Sequence, residues 1–355
     1  MYPQSFGKYI LERELARGGM ARVLLATLRG AGGFEKRLVV KQIRDEWAHD
    51  VEFVRRFVAE AKTTVALSHP NIVPVYELGV EQGVYFIAME LVSGVSVAEL
   101  LEADRVAAGH AVGLSADEGA HVGVELCRAL DYAHRRMSVV HRDLTPRNVM
   151  LDEEGQVRLI DFGIAAPARA AGHEVLGSPG HMPPEQLEGG ELGPATDVFA
   201  LAALLLETWS GAAPFRRATA EASVAAMHAP HPRPSDAHPE LAPLDAIVAR
   251  CLRLDPRERP QEVDELGRAL RAFLKERETE ELTRRLGERV REARSAGAPP
   301  PESGGPPSTR KLDDEGEAPA VTRTFAAREH DEPAADAPST RRLDSPPPPP
   351  PIEPG

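Results

Sequence analysis

The chain holds only two cysteines in 355 residues, Cys127 and Cys251, too few for a disulfide framework. Both lie in apolar helical patterns, so buried, reduced thiols are expected. The first ten residues, M-Y-P-Q-S-F-G-K-Y-I, have neither the basic start nor the apolar run of a secretory leader. The longest strongly apolar stretch, 198–206, is far short of the roughly 20 residues a membrane helix needs. Positive charge is also scarce: the formal net charge is −13, which argues against non-specific binding to nucleic acid. No His/Cys cluster has the spacing of a zinc site; His228, His231 and His238 fall in a proline-rich loop and read as surface residues. These absences lead us to expect a cytoplasmic protein with no membrane span and no nucleic-acid partner.

Hydrophobic residues make up 42% of the chain, enough for a sizeable core. Residues 297–355 differ in kind. They carry six Arg/Lys against eleven Asp/Glu and 15 of the 32 prolines, six of them consecutive at 346–351. Such a segment has too little large apolar surface to offset its chain entropy, and a disordered tail is expected.

Between these limits the pattern changes once. Strands are expected at 9–15, 23–28, 37–43, 73–80 and 84–91, with one amphipathic helix over 51–67 carrying Phe53, Val54, Phe57, Val58 and Ala61 on one face. From residue 97 onward the periodicity is helical, at 116–136, 195–210, 244–253 and 262–275. A small β-rich lobe, a joint at Ser93-Gly94 and a larger helical lobe follow, with the polar motifs at the cleft between them. A further helical pattern runs to about Arg294; its dense charge and narrow apolar stripe read as an exposed or loosely docked extension, with a partner-binding or dimerising helix as the alternative.

Two short motifs carry the chemistry. Residues 141–148 read H-R-D-L-T-P-R-N, and 161–163 read D-F-G. The first puts a carboxylate (Asp143) and an amide (Asn148) on one tight loop. The second adds another carboxylate, Asp161, between two predicted strands. A carboxylate to orient or deprotonate a hydroxyl, with amide and carboxylate oxygens for Mg²⁺, is what phosphoryl transfer from ATP requires.

In these motifs, and from residue 9 to about 275, the chain resembles the eukaryotic-like (Hanks-type) Ser/Thr protein kinases, most closely their bacterial branch. The resemblance implies an α+β, two-lobed protein-kinase fold, with an N-lobe over 9–92 and a C-lobe over 96–275. A helical extension (276–296) and the tail (297–355) would follow. It implies ATP and Mg²⁺ as cofactors and protein substrates as partners. Asp143 would be the catalytic carboxylate, with Asn148 and Asp161 as metal ligands. In L-V-V-K, Lys41 would anchor ATP, oriented by Glu60 nineteen residues on. The phosphate-covering loop would be Leu15, Ala16, Arg17, Gly18, Gly19, Met20, Ala21 and Val23. Of the family's G-x-G-x-x-G it keeps only Gly18, with Ala16 and Ala21 in the outer positions. The backbone of Glu90 and Val92 would meet adenine, between walls from Leu15, Val23, Val39 and Met150; Val39 stands where the family often has alanine. Glu185 would pair with Arg259, and Asp197 would brace the catalytic loop.

Three departures bear on function. Thr145 stands where Ser/Thr kinases usually carry a lysine near the γ-phosphate. Between Gly163 and Gly177 there is no Ser, Thr or Tyr for Arg142 to bind once phosphorylated; Ser178 alone remains, and Glu174 is a candidate fixed negative charge. The tail repeats P-S-T-R-[KR]-L-D at 307–313 and 338–344, with a looser copy at 321–325. Each copy puts an apolar residue three positions after a threonine. These elements resemble phosphothreonine motifs read by forkhead-associated domains, making Thr309, Thr322 and Thr340 candidate phosphosites. The expected function is Ser/Thr protein phosphorylation without the usual loop switch. The alternatives are a nucleotide-binding pseudokinase scaffold acting through the tail and, less well supported, a small-molecule kinase.

Overall fold

The computed structural model describes residues 2–19, 21–162 and 180–297, without the side chains of Glu60, Thr63 and Ala220. The tail lies outside the described residues, and with it the expectation of disorder there. The N-terminal half contains β1 (Gln4–Phe6), β2 (Tyr9–Arg17), β3 (Ala21–Arg29), β4 (Glu35–Ile43), α1 (Val51–Val65), β5 (Val75–Glu81) and β6 (Val84–Glu90). The strands form one antiparallel sheet in the order β1-β2-β3-β4-β6-β5. All five expected strands are present within a few residues. The unexpected β1 pairs with β2 from Gln4↔Leu11 to Phe6↔Tyr9 and moves the start of the lobe ahead of residue 9.

Alternation along β4 sorts its side chains between two cores. Val40 joins Phe6, Tyr9, Leu11, Leu24 and Phe86 on one face; Val39 joins Ile87, Met89 and the α1 residues Phe53, Phe57 and Ala61 on the other. Lys41, two residues after Val39, therefore shares the α1 face. The β5–β6 hairpin closes through Gln82 and Gly83, both at positive φ (52° and 79°), which suits the twist of a two-residue turn.

The remainder comprises β7 (Gly94–Ser96), α2 (Val97–Ala108), α3 (Ala116–Met137), β8 (Val149–Asp152), β9 (Val157–Leu159), α4 (Pro184–Glu188), α5 (Pro194–Ser210), α6 (Ala220–Met227), α7 (Pro234–Ala237), α8 (Asp245–Cys251), α9 (Asp264–Phe273) and α10 (Thr279–Ser295). Ser96 with Glu99, and Ser115 with Glu118, form reciprocal capping boxes that start α2 and α3. The apolar run 198–206 is the central helix α5, where only Glu207 and Ser210 among residues 195–210 are not buried. Both cysteines are free and buried. No described helix is long and apolar enough to cross a membrane. His228 is exposed as expected, whereas His238 is half-buried with Nε2 3.0 Å from the Leu114 carbonyl oxygen.

The reading of 276–296 as an exposed or loosely docked extension is wrong. In α10, Leu282, Leu286, Val290 and Ala293 form a buried stripe against α2, α3, β7 and β8. Full burial of such a Leu or Val is worth roughly 1.5–3 kcal/mol each. Arg289 Nη1 lies 2.8 Å from the buried Glu118 carboxylate and Nη2 bonds Asp104, while Arg285 reaches Glu118 at 3.3 Å. Burial alone would raise the Glu118 pKa, but Arg289, the Ser115 hydrogen bonds and Arg285 together hold it below the ordinary value. Two glycines allow the backbones to touch. A Cβ on Gly155 (φ +82°), in the β8–β9 turn, would lie 1.8 Å from the Thr283 carbonyl oxygen; one on Gly287 would lie 2.6 Å from that of Glu153. The charges that suggested exposure are anchors whose partners come from α2, α3 and this turn.

Candidate active site

Asp197, in the first turn of α5, is fully buried and organises the loop after α3. Its Oδ2 accepts the His141 backbone N–H at 2.8 Å and lies 2.7 Å from His134 Nε2; Oδ1 accepts the Arg142 N–H at 2.9 Å. Gln186 of α4 donates to the Arg142 carbonyl at 2.8 Å. These bonds hold Arg142 at φ +69°, a left-handed conformation that costs a non-glycine residue about 1–3 kcal/mol.

His141 joins this loop to the strand before Asp161. Its Nδ1 accepts the Asp143 N–H at 3.3 Å, so Nε2 carries the proton and donates to the Ile160 carbonyl at 3.1 Å. Burial pushes its pKa below the ordinary value despite Asp197 and Asp143 nearby, which agrees with this neutral tautomer. Its ring centroid lies 4.6 Å from that of the buried Phe162.

Asn148 closes a 3₁₀ turn (Pro146–Asn148) and donates through Nδ2 to the Asp143 carbonyl (2.8 Å) and to Asp143 Oδ2 (2.9 Å). Burial raises the Asp143 pKa above the ordinary carboxylate value, with His141 and the Asn148 hydrogen bond opposing and Asp161 adding to the rise. Asp161 adopts φ +55°, and its Oδ1 lies 2.9 Å from Lys41 Nζ. Asp143, Asn148, Asp161 and Lys41 thus gather at one place from the loop, the end of β9 and β4. Behind them, Asn71 Nδ2 donates to the Val157 carbonyl at 2.9 Å, and the Val73 N–H to that of Leu159 at 3.0 Å, so residues following α1 grip β9.

Leu15, Val23, Val39 and Val92 pack in one apolar cluster with Met89. Met150 lies on β8 opposite Ser96, and the Glu90 N–H donates to the Pro74 carbonyl at 3.0 Å. Ala16, Arg17 and Ala21 flank the β2–β3 turn, where the Gly18 N–H donates to the Ala21 carbonyl at 2.9 Å. Two residues that the sequence did not single out also touch this turn. Arg44 Nη1 lies 3.2 Å from the carbonyl oxygens of both Gly18 and Gly19, and Trp47 Nε1 donates to that of Gly19 at 2.9 Å. Side-chain bonds to a distant backbone carbonyl depend on no residue type at the acceptor, so no sequence pattern marks them.

Thr145 is buried in the loop. Arg142 Nε is buried without a hydrogen-bond partner among the described residues. Glu185 and Arg259 form the expected pair, bidentate at 2.7 and 2.9 Å. Met20, the Glu60 side chain, Glu174, Ser178, Thr309, Thr322 and Thr340 lie outside the described residues.

The family described as the protein kinase domain matches residues 9–268. The tyrosine-protein kinase MasK of Myxococcus xanthus is 35% identical over 286 residues, 77% of this chain and 44% of its own length. The serine/threonine-protein kinase PrkC of Bacillus subtilis is 34% identical over 64% of this chain and 34% of its own length. PknA of Mycobacterium tuberculosis is 36% identical over 68% of this chain and 56% of its own. The chain thus spans less than half the length of the first two relatives. The crystal structure of the M. tuberculosis PknI kinase domain is similar with a TM-score of 0.61 and 28% identity, over 78% of this chain and 99% of that one.

Proposed function

The chain belongs to the protein kinase family, and from that premise we propose that it transfers the γ-phosphate of ATP to Ser or Thr hydroxyls of protein substrates. The observation that carries this reading is the convergence of Asp143, bonded by Asn148, with Asp161, paired with Lys41, on a loop whose backbone Asp197 holds. Asp143 accepts the proton of the substrate hydroxyl. The freed oxygen forms a bond to the γ-phosphorus, the bond to the β–γ bridging oxygen breaks, and ADP leaves with that electron pair. Lys41 holds the ATP phosphates, with Glu60 as its second partner. Leu15, Val23, Val39 and Met150 enclose the adenine, which bonds the backbone of Glu90 and Val92.

The donor set suits Mg²⁺. Asn148 spends its amide N–H groups on Asp143, so its Oδ1 is the atom left for a hard cation, and Asp161 adds carboxylate oxygen. Bound there, Mg²⁺ would neutralise charge on the phosphate oxygens.

Regulation would lack loop phosphorylation, because residues 164–176 hold no acceptor. Arg142 Nε has no hydrogen-bond partner among the described residues, which supports a role for that guanidinium in meeting an anion, and Glu174 is the candidate. A second reading, a nucleotide-binding pseudokinase scaffold, is favoured by Thr145, which removes a charge from the transition state. The tail would recruit forkhead-associated-domain proteins once its threonines are phosphorylated.

Incubation with γ-labelled ATP, Mg²⁺ and a generic protein substrate should transfer label to the substrate, and acid hydrolysis should yield phosphoserine or phosphothreonine. Label only on tyrosine, as the name of MasK would suggest for that relative, would overturn the acceptor assignment; binding of ATP without transfer would favour the scaffold. Mass spectrometry of the same reaction should find phosphate on Thr309, Thr322 or Thr340. An unmodified tail would remove the docking proposal.

A further inference from the structure

The β2–β3 turn has lost the outer two glycines of its family pattern, and neither remaining glycine uses left-handed freedom, since Gly18 and Gly19 are absent from the positive-φ residues. The fold does not demand them sterically either. A Cβ on Gly19 would meet nothing within 4 Å, and one on Gly18 only the Ala21 carbonyl oxygen at 3.5 Å. The turn is held from outside: Arg44 and Trp47 together make three hydrogen bonds to its two glycine carbonyls.

Both residues sit on the link between β4 and α1, three and six positions after Lys41. Trp47 lies against Phe53 of α1 with centroids 5.3 Å apart, and Phe53 is buried in the core below. Arg44 is itself braced by Glu46 at 2.7 Å. A peptide unit is planar and trans, so fixing the Gly18 carbonyl toward Arg44 points the Gly19 N–H the opposite way. We infer that Arg44 and Trp47 are positioning residues for ATP, which preorganise the phosphate-covering turn by its carbonyls and tie it to the helix carrying Glu60. This rests on the kinase reading of the turn. A turn already ordered loses less conformational freedom when nucleotide binds, and that difference appears as affinity.

The test is binding of a fluorescent ADP analogue with Mg²⁺, alongside steady-state kinetics. Trp47→Phe keeps a ring on Phe53 and removes the donor; Arg44→Met keeps the length and removes the charge. Each should weaken binding about three- to tenfold, in line with the loss of one or two hydrogen bonds. KM for ATP should rise by a larger factor than kcat falls, and Arg44→Lys should recover part of the loss. A merely structural role would lower the urea midpoint and kcat together without selecting KM. Wild-type affinity in both variants, with normal urea midpoints, would overturn the inference. A wild-type protein that binds no nucleotide would instead overturn the kinase reading.

Discussion

Replacing Asp143 with Asn should slow phosphoryl transfer about a thousandfold, the middle of the range for loss of a positioned general base. The substitution is nearly isosteric, and Asn148 Nδ2, 2.9 Å from Oδ2, can donate to the new amide oxygen, so the loop keeps its shape. What disappears is the acceptor for the substrate proton. Stability should not fall. The folded-state pKa of Asp143 is raised, chiefly by burial, so its stabilising contribution is present at low pH and lost as pH rises through that value. At neutral pH the buried charge is a cost that the amide removes. The same shift places the acid limb of the wild-type pH–rate profile above the ordinary carboxylate range. Initial rates with labelled ATP, nucleotide affinity and a thermal melt check all three points; a variant within tenfold of wild type would rule out Asp143 as the base.

Arg259→Ala should cost about 3–5 kcal/mol of stability, the range for breaking a buried ion pair from one side. Arg259 is fully buried, and all five of its N–H groups are used. Nε donates to the Arg253 carbonyl, Nη1 to Glu185 and the Ala195 carbonyl, and Nη2 to Glu185 and the Leu254 carbonyl. The guanidinium also lies 4.9 Å above the Phe199 ring. Alanine would strand a buried carboxylate and three carbonyls. Lysine would not rescue it, because an ammonium cannot form the bidentate pair or stack on the ring. Glu185→Gln with Arg259→Met should recover part of the loss, since no charge is then left alone. Urea denaturation of the three variants orders these costs. An Arg259→Ala midpoint close to wild type would contradict the account.

Asp197, Glu185 and Arg259 were legible because each lies within a motif whose neighbours fix its position. The sheet was legible because alternation such as Val39-Val40 is local. The strand Gln4–Phe6 was not, since three residues on a sheet edge carry too little pattern. Helix α10 was found but misplaced in the fold. Its apolar stripe is one residue wide per turn, and the carboxylates that receive Arg285 and Arg289 are some 170 positions away in sequence. Arg44 and Trp47 were invisible for a different reason, because their partners are backbone atoms.

Leu282, Leu286, Val290 and Ala293 are buried, so among the described residues the core runs to the end of α10, well past residue 268 where the family match stops. A join made at 268 would bare Leu286 and Val290's seat on α2 and α3 and leave Glu118 and Asp104 facing no arginine. Any fusion or truncation placed before the end of α10 therefore cuts through the core.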